Sequence, residues 1–273
     1  MKEQKPIEHN GTIITRRTVD GITGWYDEED NKYVGATTIV KSWFEKFDTM
    51  KVATACSNNP KKKEYFSRYP GVIMRDWDEA GEIGAEKGNI IHELMEDLLV
   101  GKKAEISMDD PYNEEKRVCV NLAKAFLKEY TLLDVEYVIF TKDYQVVAVI
   151  DCLAVNNKTG NIAVCDWKTG KDIDKVGRYD FINKAWHGGL GELEYIKDTN
   201  YNKYSLQLNI EEYILNREGY FPPGTMYEKL IFHINQDRFE KHLMRNKAKA
   251  IEKIFEQRKF DIGYKKITEG DRF

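Results

Sequence analysis

Residues 162–171 read IAVCDWKTGK. Ile162 to Cys165 is an apolar, β-favouring run, the pattern of a buried strand. Asp166 and Lys168 then put a carboxylate and an ammonium where the core should continue. Side chains on a strand alternate between its faces. Asp166 and Lys168 therefore share one face, and Trp167 points the other way into packing. Upstream, VVAVIDCLAV (146–155) is a second apolar run, and it carries a single acid, Asp151. The turn-rich hexapeptide NNKTGN joins the two runs. A hairpin symmetric about Lys158–Thr159 sets Asp151 directly opposite Asp166, with Cβ atoms about 4.5–5.5 Å apart.

Two carboxylates at that separation repel unless one is protonated or a cation sits between them. Oxygen ligands from acids and a backbone carbonyl suit Mg²⁺ or Mn²⁺. Lys168, on the same face, would orient a water or stabilise negative charge developing on a phosphate. A buried Asp–Lys ion pair would account for Asp166 and Lys168 but not for Asp151, and such pairs seldom recover their desolvation cost.

The rest of the chain supplies a scaffold for this hairpin. Its 273 residues are 41% hydrophobic and 12% aromatic, enough for a sizeable core. GTIITRRTV and GITGWYDEEDNKYVGATTIV read as strands, and Thr37 or Thr38 would cap a helix over Ile39–Phe47. CSNNPKKKEYFSRYPG is loop-rich. Helices are expected over about 76–100 and 112–130, then strands at VEYVIF, 146–155 and NIAVCDWK. An irregular segment, a helix over 204–218, a strand over 227–234 and a basic helix over about 238–257 follow. Gly81, Gly84 and Gly88 share a helix face on which a backbone could approach closely. This order is α/β with a mixed sheet.

More residues extend the pattern. Asp151, then Asp166 and Lys168 on the paired strand, resemble the PD-(D/E)xK nuclease superfamily. Gly88-Asn-Ile-Ile-His92 looks like the GxxxH helix motif of its RecB-like branch, Glu136 lies on the preceding strand, and Gln207 matches the glutamine of QxxxY. The order His, Glu, Asp, Asp, Lys, Gln is the family's, over roughly 75–235, with phage-encoded and mitochondrial-type exonucleases among the similar members. The resemblance implies a restriction-endonuclease-like mixed sheet flanked by helices. It also implies an N-terminal hairpin and helix region (1–75), a nuclease core (76–235) and a basic C-terminal helix and tail (236–273). His92, Asp151, Asp166 and the Trp167 carbonyl would hold one or two Mg²⁺ or Mn²⁺. Lys168 would position water, Glu136 would bind a second ion or take a proton, and Gln207 would help place Lys168 or the DNA backbone. Lys171, Arg178 and Tyr213 would contact DNA.

The chain departs from the family at Glu211, which stands at the tyrosine of QxxxY, with Tyr213 the nearest tyrosine. Ala148 replaces a glycine, and the iron–sulfur cysteines are missing. An acid at 211 would repel DNA. The expected activity is exonucleolytic hydrolysis of DNA to 5′-phosphate ends. A structure-selective endonuclease and a noncatalytic DNA- or partner-binding protein on the same fold stay open. DNA is the expected partner, with a recombination or replication protein beside it.

Other features narrow these classes. HELME (92–96) lacks the second histidine of a zinc peptidase, and KTGK lacks the glycines of a phosphate-binding loop. Cys56, Cys119, Cys152 and Cys165 have no zinc spacing and are expected reduced. His9, His187, His233 and His242 belong to no recognisable sequence pattern. Net charge is −4, yet residues 76–115 hold 13 acidic against 3 basic residues, and 238–273 hold 11 basic against 6 acidic. That distribution permits a local basic path. MKEQKPIEHNGT has no apolar signal segment, and no apolar run spans a bilayer. The expectation is a cytoplasmic protein, and the resemblance leaves room for a phage-encoded one acting in the host cytoplasm.

Overall fold

The computed structural model describes residues 5–177, 179–180 and 185–270. The elements in chain order are β1 (Ile7–His9), β2 (Thr12–Val19), β3 (Ile22–Asp27), β4 (Lys32–Gly35), α1 (Ala36–Ser42), α2 (Thr49–Ser57), α3 (Pro70–Leu99) and α4 (Asn113–Glu129). Then come β5 (Tyr130–Thr141), β6 (Val146–Asn156), β7 (Ile162–Lys168), β8 (Tyr179–Asp180), β9 (Ala185–Trp186), α5 (Asn200–Arg217), β10 (Tyr227–Ile234), β11 (Phe239–Leu243) and α6 (Ala248–Gly270).

The architecture is α/β. Among the described residues a nine-stranded mixed sheet runs β1-β2-β3-β4-β6-β7-β10-β11, with β5 on the other edge of β6. β4 and β7 share one edge of β6. β4 pairs in parallel with Val146 and Val147, whereas β7 pairs antiparallel with Cys152 to Val155. Between them the sheet forks, and Asp151 sits in the fork. The hairpin keeps its expected register, from Val155↔Ile162 to Cys152↔Cys165, and the ladder stops one residue short of Asp151.

Local signals explain the long helices. α3 starts with a proline in its first turn and is closed by Gly101 at φ +85°. Lys102 N–H donates to the Asp97 carbonyl and Gly101 N–H to that of Leu98, which caps the helix. Thr199 caps α5 by accepting from Asn202 N–H at 3.1 Å. Asn156 Oδ1 accepts from Lys158 N–H and Thr159 N–H, fixing the β6–β7 turn.

One hydrophobic cluster packs α1, α5 and α6 on the sheet, and another packs α3 and α4 on it. The first joins Ala36 and Val40, Ile139 and Ile150, and Met244 and Phe255, so all three expected regions share a core. β7 is buried on both faces. Ile162 and Val164 face the first cluster, Ala163, Cys165 and Trp167 the second.

Several elements differ from expectation. The basic segment after Arg238 begins as strand β11, paired with β10, and turns helical only at Ala248. α2 runs into the first two residues of the loop-rich segment, and α1 ends at Ser42 rather than Phe47. Gly81 and Gly84 face open space, and only Gly88 has a neighbour, Thr169 Oγ1. Cys119, Cys152 and Cys165 are buried free thiols, and Cys56 is half-buried. Among the described residues no helix is long and apolar enough to cross a membrane.

Candidate functional site

The fork gathers groups from four elements. On β6, Ala148 and Ile150 pack in the α5 cluster, yet Cys152 and Ala154, of the same parity, pack in the α3 cluster. A regular strand cannot do this, so the alternation slips at Asp151. β5 slips at the same level: Tyr137 packs with the first cluster and Val135 with the second. Between them Glu136 takes φ +50°, a left-handed conformation that is costly for a side-chain-bearing residue. The register Val135↔Cys152 and Tyr137↔Ile150 sets Glu136 across from Asp151.

Where the ladder ends, Trp167 has no strand partner for its N–H on that edge. Asp151 Oδ2 accepts it at 2.8 Å. From α3, His92 Nε2 donates to the Trp167 carbonyl at 2.9 Å, and its Nδ1 lies 3.3 Å from Asp151 Oδ2. Ligating atoms of His92, Glu136 and Asp151 all lie within 4.8 Å of one another. The indole of Trp167 packs away from the site, as expected, against Phe126 and Phe232.

Asp166 and Lys168 continue the row of Ile162 and Val164. Asp166 is 4% exposed. Lys168 Nζ donates to its Oδ1 at 2.7 Å and lies 2.6 Å from Oδ2, at an angle that leaves this buried oxygen without a hydrogen bond. The lysine also stands 5.1 Å from the ring centroid of Tyr204, a contact that spacing alone did not suggest. The compact ligand cluster thus holds His92, Asp151 and Glu136, while Asp166 stands beside it with the lysine.

Electrostatics separate the two aspartates. Burial raises Asp166 to about 7, assisted by the Asp151 charge and opposed by Lys168. Burial acts the same way on Asp151, but the hydrogen bond and charge of His92, the Lys168 charge and the Trp167 N–H outweigh it and hold the carboxyl below its usual range. Burial alone would lower His92, yet its bond to Asp151 and the charge there raise it. Burial also opposes the charge on Lys168, but the Asp166 and Asp151 carboxylates prevail and raise its pKa.

The remaining expected residues divide. Gln207 Nε2 donates to Glu211 Oε1 at 3.1 Å, and both line a cavity of about 630 Å³ together with Glu136, Arg16 and Lys32. Glu211 is 1% exposed and its Oε2 has no hydrogen-bond partner. Burial, with the Asp166 charge, pushes its carboxyl well above the usual range. The side chain is buried rather than presented to the cleft surface, so burial works against a charge at this position. Tyr213, expected at DNA, instead stacks on Phe255 of α6 at 4.2 Å. Two residues on a helix turn a side chain about 200° away from Glu211, toward the core. Lys171 is exposed on the segment leaving β7, and Arg178 lies outside the described residues.

The donor set fits a hard divalent cation. It offers carboxylates, a main-chain carbonyl and one imidazole, and one buried carboxylate oxygen, Asp166 Oδ2, makes an ion pair but no hydrogen bond. No protein-family model matches the chain, and no curated protein matches its sequence.

Proposed function

We propose that this chain is a metal-dependent DNA nuclease of the PD-(D/E)xK type, with a restriction-endonuclease-like core, acting as an exonuclease on DNA ends. The observation that carries the reading is the convergence of His92, Glu136 and Asp151 within 4.8 Å at the fork, beside the Asp166–Lys168 pair. A structural ion pair accounts for Asp166 and Lys168, but not for the gathering of an imidazole and two further carboxylates beside it.

When bound, Mg²⁺ or Mn²⁺ supplies a Lewis acid and lowers the pKa of a water. Asp151, His92, Asp166 and the Trp167 carbonyl are the groups that would hold it. Lys168 keeps its proton between two carboxylates and meets a phosphate as a cation, stabilising the charge that develops there. Glu136, exposed at the mouth of the fork, takes a proton from the attacking water. Gln207 donates to Glu211 and holds its buried carboxyl in place at the cleft. Water oxygen bonds to phosphorus as the bond to the 3′ oxygen breaks, leaving a 5′-phosphate. Arg16 and Lys32 line the cavity at Glu136. Lys175, Lys197, Arg245 and Lys247 line another of about 390 Å³. These cationic walls suit a polyanionic strand.

The test is cleavage of end-labelled linear DNA and of closed circles, with Mn²⁺ or EDTA, using wild type and Asp166→Asn. Metal-dependent loss of linear DNA only, abolished in the variant, is the expected result. Cut circles would replace the exonuclease with an endonuclease, and no cleavage under any metal would leave a DNA-binding protein.

A further inference from the structure

His233 and His242 fit no pattern in the sequence, but folding brings them together. Antiparallel pairing of β10 with β11 sets His233 across from Glu240, and Ile231 across from His242. Residues two apart on a strand share a face, so His242 joins His233 and Glu240 on one side of the hairpin. One ring nitrogen of each histidine and a carboxylate oxygen of Glu240 all lie within 4.8 Å of one another.

His233 and Glu240 are already oriented as ligands, and His242 becomes one once Lys175 releases its Nδ1. His233 is 5% exposed, and its Nε2 is 2.6 Å from the Gly170 carbonyl. A carbonyl can only accept, so Nε2 carries the proton and Nδ1 keeps the lone pair. Metal-binding histidines are commonly oriented in this way, by a backbone carbonyl on the other nitrogen. Arg238 donates to Glu240 Oε1 at 2.9 and 2.7 Å, leaving Oε2 turned toward His242. His242 Nε2 is buried, has no hydrogen-bond partner, and lies 3.5 Å from that Oε2. This separation is too long for a good N–H···O bond. It is close to the roughly 3.3 Å between two ligand atoms on a tetrahedral zinc ion. Lys175 Nζ lies 3.4 Å from the opposite nitrogen, Nδ1, and is exposed, so it can swing out to solvent.

We infer that His233, Glu240 and His242 form a second metal site, selective for Zn²⁺ and separate from the fork. Two imidazoles and one carboxylate are the donors of three-ligand zinc sites with an open fourth position, whereas Mg²⁺ prefers oxygen alone. The position gives the site a task. Through Gly170, two residues beyond Lys168, His233 ties the β10–β11 hairpin to the segment leaving β7. The bound ion would hold that segment in place.

The experiment titrates the metal-free full chain with Co²⁺ and follows the visible ligand-field bands of the four-coordinate ion. It is repeated in a His92→Ala/Asp151→Asn background, which silences the fork. Wild type and the silenced background should both give one equivalent of tetrahedral Co²⁺, displaced by Zn²⁺. His242→Ala and Glu240→Ala should each weaken it at least tenfold. Glu240 is partly exposed on a strand edge, so that variant keeps the test valid should His242→Ala misfold. Bands that persist in a folded Glu240→Ala variant, or that are missing from the folded silenced background, overturn the inference without touching the nuclease reading.

Discussion

Two histidine–carboxylate clusters lie on the same sheet and are built in opposite ways. The His242 cluster stands on an unbroken ladder of five pairs, Leu230↔Leu243 to Ile234↔Phe239, and gathers only what two strands present on one face. The His92 cluster stands where regularity fails. Its ladder stops, both strands slip in phase, Glu136 turns left-handed, and groups arrive from α3, β5, β6 and β7. Regular pairing can supply a small ligand set, but a ligand set with a lysine and two unlike aspartates needs an interruption.

The comparison breaks most easily at Asp151. Asp151→Asn keeps an acceptor for Trp167 N–H but removes the charge that serves His92 and would serve the proposed cation. Cleavage should fall by on the order of 10³-fold, with Mn²⁺ uptake at the fork weakened in calorimetric titration and circular dichroism unchanged. Undiminished Mn²⁺ binding would leave the fork no more than an irregular stretch of sheet.

A second substitution sharpens the electrostatic half of the contrast. The carboxyl of Glu211 is pushed up by burial. The unfolded chain releases this proton near the ordinary value of about 4.3, while the folded chain retains it. The stability this group contributes is therefore complete below that value and is lost as pH rises toward the folded pKa, by at most about 1.4 kcal/mol per pH unit. Glu211→Gln should raise the thermal midpoint of the metal-free protein near pH 8, with the gain vanishing near pH 4. Parallel midpoint curves for the two proteins would mean that Glu211 is ionised in the fold.

The smallest effect is expected at the turned backbone. Glycine adopts a left-handed φ freely. Relief of about 1–3 kcal/mol of strain, less about 0.4–1 kcal/mol of unfolded-state entropy, leaves Glu136→Gly about 1 kcal/mol more stable in urea unfolding, yet impaired in cleavage. A less stable variant would show that the fork is not strained there.

The hairpin itself could be read from the sequence. Its turn chemistry fixed the register, alternation sent Trp167 to the core, and the spacing of Gly88 and His92 brought an imidazole to the Trp167 carbonyl. The failures came where tertiary contacts outweigh local pattern. Residues 239–243 are charged enough to read as helix, but pairing with β10 makes them a strand. Tyr213 looked like a DNA contact because it stood near a motif position, and the angular step of a helix carried it under α6. His233 and His242 became neighbours only through strand register. The burial that raises the Glu211 pKa depends on α5 lying against the sheet, which no spacing reveals. Glu136 was legible as an acid near the site, while the slip that aims it was not.

The paired slip at Glu136 and Asp151 also bears on which length changes the gene could tolerate. Removing one of the two residues would put β5 and β6 out of step and send the segments beyond to the wrong sides of the sheet. Removing both would restore an ordinary ladder with matched inner and outer rows. The most regular version of this sheet is two codons shorter, and it has lost two of the carboxylates on which the proposed cleavage rests.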